Sequence, residues 1–168
     1  TFAGWYDAAT GGNKVADGGK AYTPTANKTL YARWIANGYT VVYNGNGATG
    51  GSTASSTHTY DVEKALTANG YTREYTVTYN YNGSGAANTQ DKATYTFKNW
   101  NTNAGGTGTK YTDKQVVENL TSTSNGTVKL FAQWNSDSVT LPTPTRSGYG
   151  FAGWYDAATG GNKVADGG

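Results

Sequence analysis

Residues 2–19 of this chain read Phe-Ala-Gly-Trp-Tyr-Asp-Ala-Ala-Thr-Gly-Gly-Asn-Lys-Val-Ala-Asp-Gly-Gly, and the same residues return without a change at 151–168. The offset between residue 2 and residue 151 is 149 positions, so the chain spans one 149-residue period and the start of a second. Long internal identities are typical of tandem repeats, in which each unit packs on its neighbours. We therefore expect this segment to be a window from a longer array of the same unit.

A shorter aromatic pattern recurs inside the period. A Phe-x-x-Trp hairpin at residues 2–5 is followed by a closing strand, Leu-Tyr-Ala-Arg-Trp, at residues 30–34. The same order returns at residues 97–100 and, as Leu-Phe-Ala-Gln-Trp, at residues 130–134. Side chains alternate between the two faces of a strand, so the Leu, Ala and Trp of each closing strand share one face. We predict that these faces are core.

Two opening strands, rich in Tyr, Thr and Val, lie at residues 39–45 and 75–83. These residue types favour strands. Opening strand, hairpin and closing strand occur together at residues 74–134, which we predict to be a complete module. Residues 35–73 have an opening strand but no Phe-x-x-Trp hairpin. They either combine with a hairpin elsewhere in the array or extend the sheet of the complete module, and the sequence leaves both alternatives open.

These patterns divide the chain into four parts. They are residues 1–34, the C-terminal part of a module; 35–73, an extra opening strand with a short helix segment; 74–134, the complete module; and 135–168, the start of the next module. Residues 61–68 and 114–120 are each predicted to form a short helix, with Thr59 or Asp61 near the start of the first and Asp113 near the start of the second. The expected fold is therefore β-rich α+β, with short strands, hairpins and one or two short helices.

The aromatic residues fall into two groups. The predicted structural core consists of Phe2, Trp5, Leu30, Trp34, Phe97, Trp100, Leu130, Trp134, Phe151 and Trp154. The candidate contact surface consists of Tyr31, Tyr81 and Phe131, which we assign to the opposite face. Exposed aromatic rings of this kind bind sugar rings or a partner protein's surface.

Composition excludes several classes of site. The chain has no Cys and one His, which removes disulfide scaffolds, cysteine nucleophiles and multi-His metal sites. Its net charge of +2, with 14% charged residues, is too small for an electrostatic grip on nucleic acid. No apolar run reaches the roughly 20 residues that span a bilayer. We expect no nucleic-acid partner and no membrane span in this segment.

Two motifs that could carry chemistry have simpler interpretations. Residues 45–50 fit G-x-G-x-x-G, but a flexible polar stretch follows instead of a helix, so we interpret them as a hairpin loop. His58 could form a triad with Ser55 or Ser56 and Asp61, but nothing encodes a nucleophile turn or an oxyanion hole. We expect no enzyme activity and no catalytic, cofactor or metal site.

The quoted motifs together resemble the internalin-type B-repeat, also called the Listeria/Bacteroides repeat. The resemblance lies in Tyr75–Gly83, in the Phe-x-x-Trp hairpins and in the Leu-Tyr/Phe-Ala-x-Trp closing strands. It implies small β-grasp-like modules in tandem, as an extended array on the outside of a bacterial cell, with no catalytic residues and no cofactor. The expected function is a structural stalk or extracellular filament whose partners are neighbouring copies. The alternative is an adhesive module that binds glycans or host surface proteins.

Overall fold

The computed structural model describes residues 1–166, so the end of the predicted segment 135–168 lies outside it. The first seven strands are β1 (Phe2–Tyr6), β2 (Lys14–Ala16), β3 (Tyr31–Trp34), β4 (Gly38–Asn44), β5 (Gly50–Gly51), β6 (Ser56–Thr59) and β7 (Lys64–Ala65). The next seven are β8 (Tyr71–Tyr79), β9 (Thr89–Asn101), β10 (Lys110–Tyr111), β11 (Val116–Val117), β12 (Gly126–Asn135), β13 (Trp154–Tyr155) and β14 (Lys163–Ala165).

The largest sheet has seven strands in the order β5-β8-β9-β12-β4-β6, with β10 paired to β9. Strand β12 runs parallel to β4, and Leu130 lies opposite Tyr43 in that pair. Strand β4 belongs to the predicted segment 35–73, whereas β12 closes the predicted module 74–134. Of the two alternatives left by the sequence, the structure shows the second, in which residues 35–73 extend this sheet.

Strand β9 changes partners along its length. Its first part pairs with β8, from Thr89 opposite Tyr79 to Tyr95 opposite Arg73. Its second part, from residue 96 to residue 101, pairs with β12 on the other edge. Strand β8 and the first part of β9 therefore form a two-stranded arm, which we call the arm. The remainder of the sheet, residues 38–59 and 96–135, is called the central module.

Three smaller sheets flank the large one. Strands β2, β1 and β3 form a three-stranded sheet in the order β2-β1-β3, which we call the N-terminal sheet. Strands β13 and β14 form an antiparallel pair, which we call the C-terminal hairpin. Strands β7 and β11 pair with each other, and Val117 of β11 and Leu66, the residue after β7, belong to the core.

The hydrophobic core lies in the central module. Its buried members come from β4, β9, β11 and β12 and from Leu66, which follows β7 in the chain and packs onto the module from outside its bounds. They are Tyr39, Val41, Tyr43, Leu66, Trp100, Val117, Leu130 and Ala132. Tyr71, Phe97 and Trp134 pack against this cluster. The core is therefore built from one opening strand, one hairpin and one closing strand, with Tyr and Trp supplying much of the buried area.

The predicted α+β class is wrong, because the described residues contain no helix and the fold is all-β. Residues 61–68, predicted to be helical, turn at Asp61 with a φ of 60° and then enter β7. Residues 114–120 turn at Lys114 with a φ of 56° and then enter β11. Both segments instead supply strands to the same two-stranded sheet.

The physical reason is length. A helix of two turns must pay the cost of nucleation while forming few hydrogen bonds, so it is marginal without tertiary support. Pairing β7 with β11 gives both segments backbone partners, and the Leu66 amide also donates to the Gln115 carbonyl at 2.9 Å. The Asp61 amide donates to the Asn119 side chain at 2.6 Å, which holds the turn outside the helical region.

Candidate functional site

A Phe–Trp pair is present in all three Phe-x-x-Trp hairpins, with nearly constant geometry. The ring centroids are 5.5 Å apart in Phe2–Trp5, 5.0 Å in Phe97–Trp100 and 5.6 Å in Phe151–Trp154. Exposure differs more than geometry does. Trp100 is fully buried at 0% exposure, whereas Trp5 is 38% exposed and Trp154 is half-buried. The hairpins are therefore alike locally, and what covers them differs.

In the central module the opening strand covers the hairpin. The ring centroid of Trp100 lies 4.8 Å from that of Tyr43 in β4, with an interplanar angle of 56°. Tyr71 adds an edge-on contact at 6.3 Å. The indole N–H of Trp134, at the end of the closing strand, donates to the carbonyl of Gly45 at 3.0 Å. Aromatic residues therefore join the opening strand, the hairpin and the closing strand of the central module.

The N-terminal sheet has the hairpin and the closing strand alone. Phe2 contacts Trp34 edge-on at 5.2 Å, as Phe97 contacts Trp134 at 6.0 Å in the central module. Within the described residues, β3 pairs only with β1. Trp34 is 72% exposed. The closing strand of this sheet therefore presents an unpaired edge and an uncovered indole.

The C-terminal hairpin is covered on one side by the arm. The Trp154 ring lies 5.2 Å from Tyr79 at an interplanar angle of 52°, and 5.8 Å from Tyr81. Its indole N–H donates to the carbonyl of Pro142 at 2.8 Å. Sequence reasoning did not single out Tyr79. The signal was available, because Tyr43 and Tyr79 occupy the same place in Tyr-Thr-Val-x-Tyr-Asn.

A cleft of about 710 Å³ separates the tip of the arm from the C-terminal hairpin. Thr78, Asn80 and Asn82 line it from the arm, and residues 151–155 line it from the hairpin. The side chain of Arg146, which also lines the cleft, lies over the ring of Tyr149 at 4.1 Å. Main-chain and amide groups together with aromatic rings therefore surround this space.

The predicted core residues lie at very different depths. Trp100 and Leu130 are fully buried, and Phe97 and Trp134 are half-buried against them. Outside the central module, Phe2, Leu30 and Trp154 are half-buried, and Trp5, Trp34 and Phe151 are exposed. In the part of the chain that the structure describes, only the copy of the motif that includes an opening strand forms a closed core.

The candidate contact residues lie on three separate elements. Tyr31 is exposed on β3, opposite Tyr6 of β1. Tyr81 is half-buried at the tip of the arm, where its hydroxyl is 3.0 Å from that of Thr89. Phe131 is half-buried on β12, with the ammonium of Lys129 5.2 Å above its ring.

His58 is buried in the central module. Its Nε2 is 2.8 Å from the hydroxyl of Ser56, and its ring stacks on Tyr39 at 5.4 Å. Burial lowers the pKa of His58, and the nearby charge of Lys64 lowers it further. Asp61 bonds to Asn119 instead. The residues considered for a triad are therefore not assembled as one.

Residues 1–166 contain no group of three or more His, Asp or Glu side chains that could hold a metal ion. Over the same residues, no helix is long and apolar enough to cross a membrane.

Residues 1–33 and 121–168 match the Listeria-Bacteroides repeat domain, which confirms the predicted resemblance to that repeat family. The two segments make up slightly less than half of the chain. The chain is also 27% identical, over 188 aligned positions, to a protein of Evansella cellulosilytica described as a Gly-rich membrane protein. That alignment covers 92% of this chain, and the chain spans 19% of the relative's length. No solved structure matches the chain.

Proposed function

We propose that this chain, which carries Listeria-Bacteroides repeat sequence near both ends, is a structural segment of a bacterial tandem-repeat surface protein. Its modules form an extended stalk or filament by packing repeat against repeat. The location on the cell surface is supported by the repeat family and by the description of the Evansella relative as a membrane protein. In this proposal the modules give the surface protein its length and stiffness and carry out no catalysis.

The observation that carries this proposal is the packing of the Trp154 ring. Residues 151–155 repeat residues 2–6, so Trp154 belongs to the next copy of the unit. Its ring nevertheless packs on Tyr79 and Tyr81, which belong to the arm of the preceding module. Buried Trp and Tyr rings carry much of the energy of such contacts, typically about 0.5–1.5 kcal/mol per ring pair beyond their buried area. Successive copies are therefore fixed to one another by aromatic packing.

A chain of at least three tandem periods tests this proposal by electron microscopy. We expect straight rods whose length rises in proportion to the number of periods. Trp154→Ala, introduced at the equivalent position of every period, should convert the rods into flexible strings of beads. Thr159→Ala is the matched control, because Thr159 is exposed in the same hairpin and does not line the cleft. Flexible beads from the unchanged sequence, or unaltered rods from the Trp154→Ala chain, would contradict the stalk.

Adhesion is a second candidate function, favoured by the exposure of Tyr31 on β3 and Tyr149 beside the cleft. An array would multiply the avidity of such a weak surface. Titration of the chain with oligosaccharides, followed by tryptophan fluorescence, tests this role. A saturable change that Tyr31→Ala or Tyr149→Ala abolishes would support adhesion, and an unchanged spectrum would count against glycan binding.

A further inference from the structure

The central module shows what a closed unit of this chain requires. Its closing strand, β12, lies between two partners, the hairpin strand β9 and the opening strand β4. Ala132 lies opposite Trp100 on the antiparallel side. Leu130 lies opposite Tyr43 on the parallel side. The closing strand is thus the middle strand of the unit, and both registers are defined.

The N-terminal sheet repeats one side of this arrangement. Ala32 of β3 lies opposite Trp5, and Tyr31 lies opposite Tyr6, as Ala132 and Phe131 lie opposite Trp100 and Asn101. The parallel partner is missing, since no opening strand pairs with β3 in the described chain. The 72% exposure of Trp34 reflects this missing partner.

The arm and the C-terminal hairpin supply the other two strands of the same unit. Strand β8 reads Tyr-Thr-Val-Thr-Tyr from residue 75, as β4 reads Tyr-Thr-Val-Val-Tyr from residue 39. Tyr79 meets Trp154 at 5.2 Å and 52°, close to the 4.8 Å and 56° of Tyr43 and Trp100. The aromatic contact that joins the opening strand to the hairpin in the closed unit is therefore already formed between β8 and β13.

What this second unit lacks is a closing strand. One edge of β8 pairs with β9, and on the other edge β5 pairs only with residues 71 and 72. Strand β13 pairs only with β14 in the part of the chain that the structure describes. The cleft is lined by Trp154 and Tyr155 of β13 and, on the arm, by Thr78 of β8 and the turn that follows β8. In the central module, the corresponding place is filled by β12.

We propose that the cleft between β8 and β13 is the binding site for residues 28–34 of a second copy of this repeat unit. The segment adds as a middle strand, parallel to β8 and antiparallel to β13. This inference deepens the proposed function and rests on it, because it names the partner through which one copy engages the next. Edge-strand addition of this kind obtains affinity from main-chain hydrogen bonds and specificity from alternate side chains.

Both registers of the added strand follow from pairs already present. Residues 151–155 are identical to residues 2–6, so the copy of Ala32 should lie opposite Trp154 as Ala32 lies opposite Trp5. On the parallel side, the copy of Leu30 should lie opposite Tyr79, as Leu130 lies opposite Tyr43. The contact joins different surfaces of successive copies, so it propagates along an array without closing into a ring.

An extended chain tests this inference directly. Gly168 corresponds to residue 19 of the period, so a second copy of residues 20–35 is appended after it. We expect the backbone amides of residues 75–80 that point away from β9 to exchange with solvent at least about tenfold more slowly than in the 168-residue chain, because the free edge of β8 becomes paired. The control carries Leu30→Asp in the appended copy only. Equal exchange in the extended chain and its control would overturn the proposal.

Thiol crosslinking tests the register independently. The chain has no Cys, so two introduced thiols are the only ones present. Thr29→Cys in the appended copy should crosslink through a short bifunctional reagent with Thr78→Cys, since Lys129 lies opposite Val42 in the central module. Thr76→Cys, two positions away on β8, is the control and should react at least several times more slowly. Equal yields for Thr78→Cys and Thr76→Cys would overturn the register.

The two proposals can fail separately. If electron microscopy shows rods but the amides of residues 75–80 stay unprotected, the added strand is refuted and the stalk function stands. If the amides are protected but the chains are flexible beads, the added strand stands and the stalk function is refuted.

Discussion

Trp100 and Trp5 occupy the same place in the same hairpin motif, yet one is fully buried and the other is 38% exposed. Each contacts the Phe of its own hairpin at nearly the same distance. The difference is Tyr43 of the opening strand, which covers Trp100 and has no counterpart over Trp5 among residues 1–166. The comparison teaches that the Phe-x-x-Trp hairpin arranges its own rings but does not make a core until an opening strand covers it.

The largest expected effect comes from removing the two indoles in turn. Trp100→Ala should destabilise the central module by about 3–5 kcal/mol, because it leaves a large cavity at a fully buried site. Trp5→Ala should cost far less, about 1 kcal/mol, since part of its surface is already in water. Urea unfolding followed by circular dichroism measures both. Equal losses for the two variants would refute the difference between the regions.

A second comparison concerns the turns that follow the two hairpin strands. Asn101 is fully buried, and its amide group bonds to the main chain of Asn103, Gly106 and Gly108 at 2.8–3.2 Å. Asn101→Ala should therefore cost about 1–3 kcal/mol, because buried backbone groups lose their partners. Asp7→Ala is the matched control. Its carboxylate accepts from the Asn13 amide at 2.7 Å at an exposed site, where water replaces the bond.

Urea unfolding at neutral pH compares the Asn101→Ala and Asp7→Ala variants. The structure predicts a clear shift of the midpoint for the first and a shift of a few tenths of a kcal/mol for the second. A larger loss for Asp7→Ala than for Asn101→Ala would show that the exposed turn, and not the buried one, holds its hairpin in place.

A smaller effect should appear on mild acidification. Burial lowers the pKa of His58 below its usual value of 6.5, so the unfolded chain takes up a proton at a higher pH than the folded chain does. The central module should keep its full stability above pH 6.5 and lose stability as the pH falls from there toward the folded pKa. Unfolding midpoints at pH 7.5 and 5.5 measure this loss. His58→Gln should abolish it, and an unchanged slope in that variant would assign the effect to other groups.

Short-range patterns were readable from the sequence. Alternation along residues 130–134 predicts a strand with Leu, Ala and Trp on one face, and in the structure Leu130 and Ala132 are fully buried there. The prediction of two short helices was wrong, because a two-turn helix is marginal by itself. Both segments form strands instead, and the pairing of β7 with β11 joins residues about fifty positions apart. Local propensity contains no information about that partner.

Long-range pairing was the part that the sequence could not decide. Both opening strands have the residues needed to pair with β12, and only the fold shows that Tyr43 lies opposite Leu130 while Tyr79 contacts Trp154. For the same reason, the cleft beside Trp154 could not be predicted, since its walls come from residues near 80 and from residues near 150. The sequence shows that Tyr43 and Tyr79 occupy equivalent positions in the two opening strands, but it does not show which residues each of them contacts.

Amide hydrogen exchange of the 168-residue chain, resolved by residue, tests the central claim most directly. That claim is that one module is closed while the flanking strands keep free edges for a second copy. Amides of β4 and β12 should exchange only on global unfolding, whereas those of β3 and the free edge of β8 should exchange orders of magnitude faster. Uniform slow exchange across β3, β4, β8 and β12 would contradict the account, because it would mean that no edge is left for the next copy.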